Sequence, residues 1–175
     1  MAPQPTNAQG LVHFMNDDIG HFIAGFTAGE GCFSLHFGTH TVCPKNQNVT
    51  VNFQIGLRSD DAEILHTIRA VLACGRVVKP RVYNTTEAKS LYVVSQVKDL
   101  ALIIVPFFRK YPLRAKKAKD FEVWAMAVEL LWEIQQRELR PSGNPRGRTR
   151  WLPKDREIIK SMTQEIIDGR KFKFK

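Results

Sequence analysis

The chain has 175 residues, 43% of them apolar and 25% charged, which suffices for one domain with a real core and excludes disorder of the whole. No run of 18 apolar residues occurs, so a membrane-spanning helix is excluded. The net charge of +9 is lopsided, with three basic and six acidic side chains in residues 1–75 against 23 basic and 11 acidic in 76–175; nucleic acid is the first partner such a basic half suggests, an anionic membrane surface the second.

Residues 1–15 are expected to form a flexible leader, because the first ten are polar and lack the basic and apolar regions of a signal peptide. The three cysteines, Cys32, Cys43 and Cys74, are odd in number and lack CxxC spacing. A disulfide framework and a zinc site are thereby disfavoured, and a reducing compartment fits: cytosol, nucleus or an organelle matrix.

The pattern predicts a helix over 16–28, capped by Asn16 or Asp17. Ile19, Phe22, Ile23 and Phe26 form one apolar stripe. Ala24, Gly25, Ala28 and Gly29 form a second, small-residue face; two helical glycines cost roughly 2 kcal/mol against alanine, so close approach of another backbone is the expected compensation. Strands follow over 32–38 and 49–57. Phe33, Leu35 and Phe37, and then Val49, Val51, Phe53, Ile55 and Leu57, alternate with polar residues. Ser59 is expected to cap a second helix with core residues Ile64, Leu65, Ile68, Val71 and Leu72, ended by Gly75.

A second strand pair is expected over 76–83 and 91–97, with faces that the pattern does not assign because both are mostly apolar. A third helix is predicted from about Asp99 to Phe108, a fourth from about Arg114 to Arg137, and a last one over 154–168. Residues 140–150 hold two prolines, two glycines and four arginines and read as a loop. The αββ order occurring twice argues an α+β fold with an antiparallel sheet. The expected domain core is 16–137, with 138–175 a basic extension of the same domain.

The segment Phe22-Ile-Ala-Gly-Phe-Thr-Ala-Gly-Glu-Gly-Cys-Phe33 resembles the signature of the LAGLIDADG homing endonucleases, Ile23 to Gly31 aligning with all nine motif positions. Phe53-Gln-Ile-Gly-Leu-Arg-Ser-Asp-Asp61 and Tyr111-Pro-Leu-Arg-Ala-Lys-Lys-Ala-Lys-Asp-Phe121 add to the likeness, which covers about residues 16–137. The resemblance implies an αββαββα core whose antiparallel sheet binds DNA. It also implies metal-dependent, site-specific cleavage of both strands of a long, pseudo-palindromic target, in the service of intron or intein mobility. A single motif copy implies a homodimer, packed through Ala24, Gly25, Ala28 and Gly29. That packing would bring two helix C-termini and two Glu30 carboxylates together. Such an acidic cluster needs cations, and oxygen donors with room for water suit Mg²⁺ or Mn²⁺. By resemblance the Gly29 carbonyl also ligates metal, and Ca²⁺ binds without supporting cleavage.

The family's lysine near the end of the core falls on Lys116 or Lys117. A polar residue that organises water at the end of the second strand is replaced by Leu57, with Arg58 the neighbour placed to compensate. This leaves open a non-cleaving reading on the same fold: an RNA-splicing maturase or a DNA-binding regulator. A β-ribbon in the major groove would present Ser34, His36, Thr50, Asn52 and Gln54, with Asn52 or Gln54 suited to adenine. Arg76, Lys79 and Arg81 would take guanine or phosphate, and Lys45 and Asn46 lie in the outer loop. Arg146, Arg148, Arg150 and the basic tail are the expected phosphate contacts.

Overall fold

The computed structural model describes residues 17–39, 47–78, 89–138, 140–141 and 148–170. The expected leader, with Asn16, lies outside them, as do Lys45, Asn46, Lys79, Arg81 and Arg146. Helix α1 (Asp17–Glu30) is followed by β1 (Gly31–Thr39) and β2 (Gln47–Arg58). A 3₁₀ turn, Ser59–Asp61, leads into α2 (Ala62–Leu72), then β3 (Arg76–Val78) and β4 (Lys89–Val94). Helix α3 runs over 97–110, α4 is Ala115–Gln136, β5 (Arg140–Pro141) and β6 (Arg148–Thr149) make a small ladder, and α5 is Pro153–Arg170. The four main strands form one antiparallel sheet in the order β1-β2-β4-β3, the α+β architecture expected.

Several boundaries differ from the sequence reading. Helix α1 runs through Glu30, so the carboxylate ends the helix instead of following it. Ser59 does not cap α2; it opens the 3₁₀ turn, and its hydroxyl accepts a hydrogen bond from Ser90 Oγ at 3.2 Å. Helix α2 stops at Leu72 because Ala73 turns left-handed (φ 54°) and donates its N–H back to Arg69; Gly75, also at positive φ, serves the turn into β3. Strand β4 ends at Val94, and Val97 already belongs to α3. That helix contains a π-turn at Leu100–Ile104 just before Pro106. The ring of Pro106 has no N–H to give and crowds the preceding turn, and a wider local winding accommodates both. The loop read over 140–150 contains the short β5–β6 pairing.

The core lies between one face of the sheet and the helices. Phe33 and Phe53 stack at 5.2 Å, and Phe33 also meets Phe108 at 5.4 Å and Trp124 at 5.0 Å. Ile23, Ile55, Leu65, Tyr92, Ile104 and Val128 complete it, all fully buried. In β4 it is Ser90, Tyr92 and Val94 that turn inward. This settles the ambiguous faces, since Leu91 and Val93 point to the opposite, open side. Leu91 lies across Gly56, where a Cβ would sit 2.9 Å from its Cδ2.

The N-terminus of α1 is fastened by Tyr111, whose hydroxyl donates to Asp17 at 2.9 Å while Lys110 pairs with the same oxygen at 3.4 Å. Helix α5 packs on α4 and β1 through Ile159, Thr163 and Ile166. Its start is held by Asp155, buried, which accepts from Arg137 Nη1 at 2.5 Å and from the Leu152 N–H at 2.6 Å.

Candidate active site and nucleic-acid interface

The two glycines of α1 that lack an explanation inside the fold are Gly25 and Gly29. A Cβ built on either meets nothing within 4 Å. Gly20 and Gly31 contrast with them: Gly20 is pressed against the Tyr111 ring, and at Gly31 a Cβ would lie 2.4 Å from Thr27 Cγ2. Gly25 and Gly29 are exposed and Ala28 is half-buried, so a small-residue face is open along α1. Ala24, expected on the same face, is already 5% exposed within the protomer; it packs inward and only borders the face. A groove of about 410 Å³ runs beside this face, lined by His21, Ala24, Gly25, Ala28, Pro112, Leu113 and Arg114.

Glu30 stands exposed at the C-terminal end of α1, where the helix carbonyls lack partners of their own. Lys117 from α4 supplies one. Its Nζ donates to the Gly31 carbonyl at 2.5 Å and the Thr27 carbonyl at 3.2 Å, and reaches that of Gly29 at 3.4 Å. Partial burial holds this ammonium below the usual lysine range, and Arg170 adds to the lowering; the carboxylates of Glu30 and Asp120 oppose it. Lys116 is exposed. The structure thus separates two lysines that sequence left equivalent, and it is Lys117 that sits at the end of α1.

Two residues missed by sequence reasoning complete the cluster. Arg170, expected among the phosphate-binding tail, instead donates from Nη2 to the Phe33 carbonyl and pairs from Nε with Asp120 Oδ2 at 3.2 Å. Trp124 Nε1 donates to the Ser34 carbonyl at 3.2 Å. Lys117 and Arg170 thereby cover outward carbonyls of the edge strand with side-chain donors, which blunts it against pairing with another chain. A basic residue in a basic run carries no sequence signal for such a contact.

The residues give hard oxygen donors, the Glu30 carboxylate and the Gly29 carbonyl, which fit a divalent cation such as Mg²⁺ or Ca²⁺. Among the described residues no three His, Cys, Asp or Glu side chains converge.

The open face of the sheet is the other candidate surface. Register places Ser34 beside Asn52, His36 beside Thr50 and Cys32 beside Gln54. Gln54 in turn opposes Val93, which opposes Arg76. His36 and Thr50 are exposed, while Ser34, Asn52 and Gln54 are half-buried; Asn52 Oδ1 is shielded and without a partner among the described residues. Leu91, Val93 and Val78 share this face and give it an apolar component, which the sequence pattern could not assign to either side. Arg58, expected near the reacting groups, is ion-paired with Asp60 at 3.1 Å. Arg150, expected on phosphate, donates its Nε to the Arg137 carbonyl at 2.7 Å. Arg148 lies in β6.

Comparison with known proteins bears on this arrangement directly. Residues 23–128 match the family model described as LAGLIDADG endonuclease. The chain belongs to this family. Among curated relatives, an uncharacterized 50.9 kDa protein in ND4 intron 1 of Podospora anserina is 31% identical over 112 residues, 63% of this chain and 24% of the relative. Probable intron-encoded endonuclease 3 of Neurospora crassa is 29% identical over 111 residues, 63% of this chain and 20% of the relative. The chain therefore spans only a fifth to a quarter of the length of these relatives. Among solved structures, the LAGLIDADG homing endonuclease I-SmaMI bound to cleaved DNA superposes with a TM-score of 0.67 at 18% identity, over 86% of this chain and 44% of that one. The homing endonuclease I-TnaI gives 0.60 at 21%, over 86% of this chain and 94% of its own. These likenesses establish the shared LAGLIDADG fold, and helix α5 lies beyond the span that the family model matches. Among the described residues no helix is long and apolar enough to cross a membrane.

Proposed function

We propose that the chain is one half of a site-specific DNA endonuclease that hydrolyses both strands of a double-stranded target with a divalent metal. A two-fold pair of α1 helices joins the halves. The observation that carries this reading is the seating of Lys117 on the Gly29 and Gly31 carbonyls that flank Glu30, at the end of a helix whose Gly25–Gly29 face is open. A second copy packed on that face brings a second Glu30 and a second helix C-terminus to the axis, and the repulsion between them favours cations. Glu30 and the Gly29 carbonyl of each copy hold Mg²⁺, with Mn²⁺ able to replace it and Ca²⁺ binding without turnover. A metal bound there supplies stabilisation of phosphate charge and a more acidic water. Lys117, held by main-chain carbonyls, presents a fixed positive charge to the scissile phosphate.

The open sheet face lies in the major groove, where Ser34, His36, Thr50, Asn52, Gln54 and Arg76 meet base edges. The intron-encoded relatives and the DNA-bound and calcium-bound structures of I-SmaMI support this reading, with intron homing as its biological role and an organelle matrix as one compartment that fits.

One observation favours a non-cleaving nucleic-acid binder instead. Leu57, at the end of β2, lines a groove with Phe26, Ile64, Thr67 and the carboxylates Asp60, Asp61 and Glu63, and its own side chain offers no polar group to hold water. The experiment that separates the readings is selection of bound duplexes from a randomised library, followed by incubation with and without Mg²⁺. Cleavage by the wild type, lost in Glu30→Gln with binding retained, is the expected result. Binding without cleavage by the wild type makes the chain a maturase or regulator.

A further inference from the structure

Helix α5 ends beside the candidate site, and its last residue makes contacts that a solvated tail does not. The side chains of Ile159, Thr163 and Ile166 bury one face of the helix against α4 and β1. This seating delivers Arg170 to the edge of β1. Lys117 takes the Gly31 carbonyl and Arg170 the Phe33 carbonyl. Residues two apart in a strand point their carbonyls the same way, so the two cations grip successive outward carbonyls of one strand. Between them on α4 stands Asp120, three residues after Lys117 and therefore on the same helix face. Its Oδ2 is engaged by Arg170 at 3.2 Å, and its side chain is only 22% exposed.

We propose that Arg170 is a positioning residue for Lys117, which makes the C-terminal helix part of the cleavage site. The proposal rests on the endonuclease reading above. Arg170 occupies the Asp120 carboxylate and keeps it from drawing the Lys117 ammonium off the end of α1. An exposed ion pair alone is worth little. Here the pair is anchored by a second contact, to the strand that begins at the motif's final glycine. Without Arg170, the Asp120 carboxylate, three residues along the same helix face, is released to act on Lys117.

The test uses the full chain and four variants: Arg170→Ala, Arg170→Ala/Asp120→Asn, Lys117→Met and Lys117→Met/Arg170→Ala. Arg170→Ala is expected to lower the single-turnover cleavage rate about 10- to 100-fold with DNA affinity in Ca²⁺ unchanged. Adding Asp120→Asn restores the rate, and in the Lys117→Met background Arg170→Ala has no further effect. A loss that Asp120→Asn deepens, or one that persists without Lys117, overturns the proposal. A second readout needs no cleavage: acylation of Lys117, followed by mass spectrometry at one pH with Lys116 and Lys119 as internal references. Arg170→Ala is expected to slow Lys117 selectively, because losing the guanidinium and gaining Asp120 as a partner both hold the proton on its ammonium. An unchanged or uniformly shifted lysine reactivity refutes the positioning role, whereas a wild type that binds but never cuts refutes only the endonuclease reading.

Discussion

The Nζ of Lys117 lies 2.5 Å from the carbonyl oxygen of Gly31, the last residue of the signature motif. A lysine of the long helix α4 thus closes the C-terminal end of α1 and stands where Glu30 ends it. Two consequences follow for neighbouring residues of the same charge. Lys117→Met is expected to lower cleavage by about 100-fold, the scale for losing one fixed electrostatic donor, with little change in DNA affinity. Lys116→Met is expected to leave the rate nearly intact, since its side chain is exposed. Single-turnover kinetics on a selected target decide both, and equal losses in the two variants contradict the assignment.

The open glycine face predicts opposite effects on fold and association. Nothing lies within 4 Å of a Cβ at Gly25, so Gly25→Ala is expected to stabilise the isolated protomer by about 0.5–1 kcal/mol through helix propensity. Gly25→Leu is likewise accepted by the protomer but holds two α1 helices apart. Sedimentation should then show a shift from dimer to monomer with the unfolding midpoint preserved. Gly20→Ala is the contrasting case, because the Tyr111 ring occupies that space at 2.3 Å. It is expected to lower the urea midpoint and to leave no change in association beyond that.

Burial of Cys74 and Tyr92 predicts a loss of stability in alkali. Burial pushes the Cys74 thiol up to about 11 from 9.0, and burial raises Tyr92 as well. The Tyr92 hydroxyl donates to the Cys74 carbonyl at 3.0 Å. Both groups keep their protons longer folded than unfolded. Their contribution is fully present below pH 9 and is lost as the pH rises toward 11, when the unfolded thiol ionises first. For Cys74 alone the loss is about 2–3 kcal/mol across that window. Urea unfolding at pH 8 and pH 10.5 checks this. The wild type should lose more stability between the two than Cys74→Ala, and identical losses rule the thiol out as the source.

Legibility followed the periodicity. The strict alternation of Val51, Phe53 and Ile55 with Asn52 and Gln54 was sufficient for β2, because only one register buries the apolar set. The nine-residue motif was sufficient for the existence of α1, though not for its end at Glu30. Strand β4 was illegible in its faces because Leu91 and Val93 are as apolar as Tyr92 and Val94; what separates them is the absence of a side chain at Gly56, across which Leu91 folds. The choice of Lys117 over Lys116 needed the seating of α4 against β1, and a one-residue shift on a helix turns a side chain by about 100°. Arg170 was hidden in a run of basic residues, where composition points to phosphate. Its partners Asp120 and Phe33 are 50 and 137 residues away, beyond any local pattern.

The row Cys32–Gln54–Val93–Arg76 across the open face predicts how specificity divides. Gln54 suits bidentate contact with adenine, and Arg76 on the opposite edge suits guanine or phosphate. Gln54→Ala is expected to relax preference at one base pair per half-site, at a cost of about 1–3 kcal/mol for the favoured base. If Arg76 binds phosphate, Arg76→Ala weakens all targets alike and reduces the salt slope by about one; if it reads guanine, it relaxes a second position instead. Selection from a randomised library, repeated at two salt concentrations for each variant, distinguishes these outcomes. A selected site unchanged by both variants would remove this row from the recognition surface. The apolar Val93 between them adds a further expectation: replacing thymine by uracil at the position it faces should weaken binding in the wild type and have no effect in Val93→Ala, since only the thymine methyl offers it a contact.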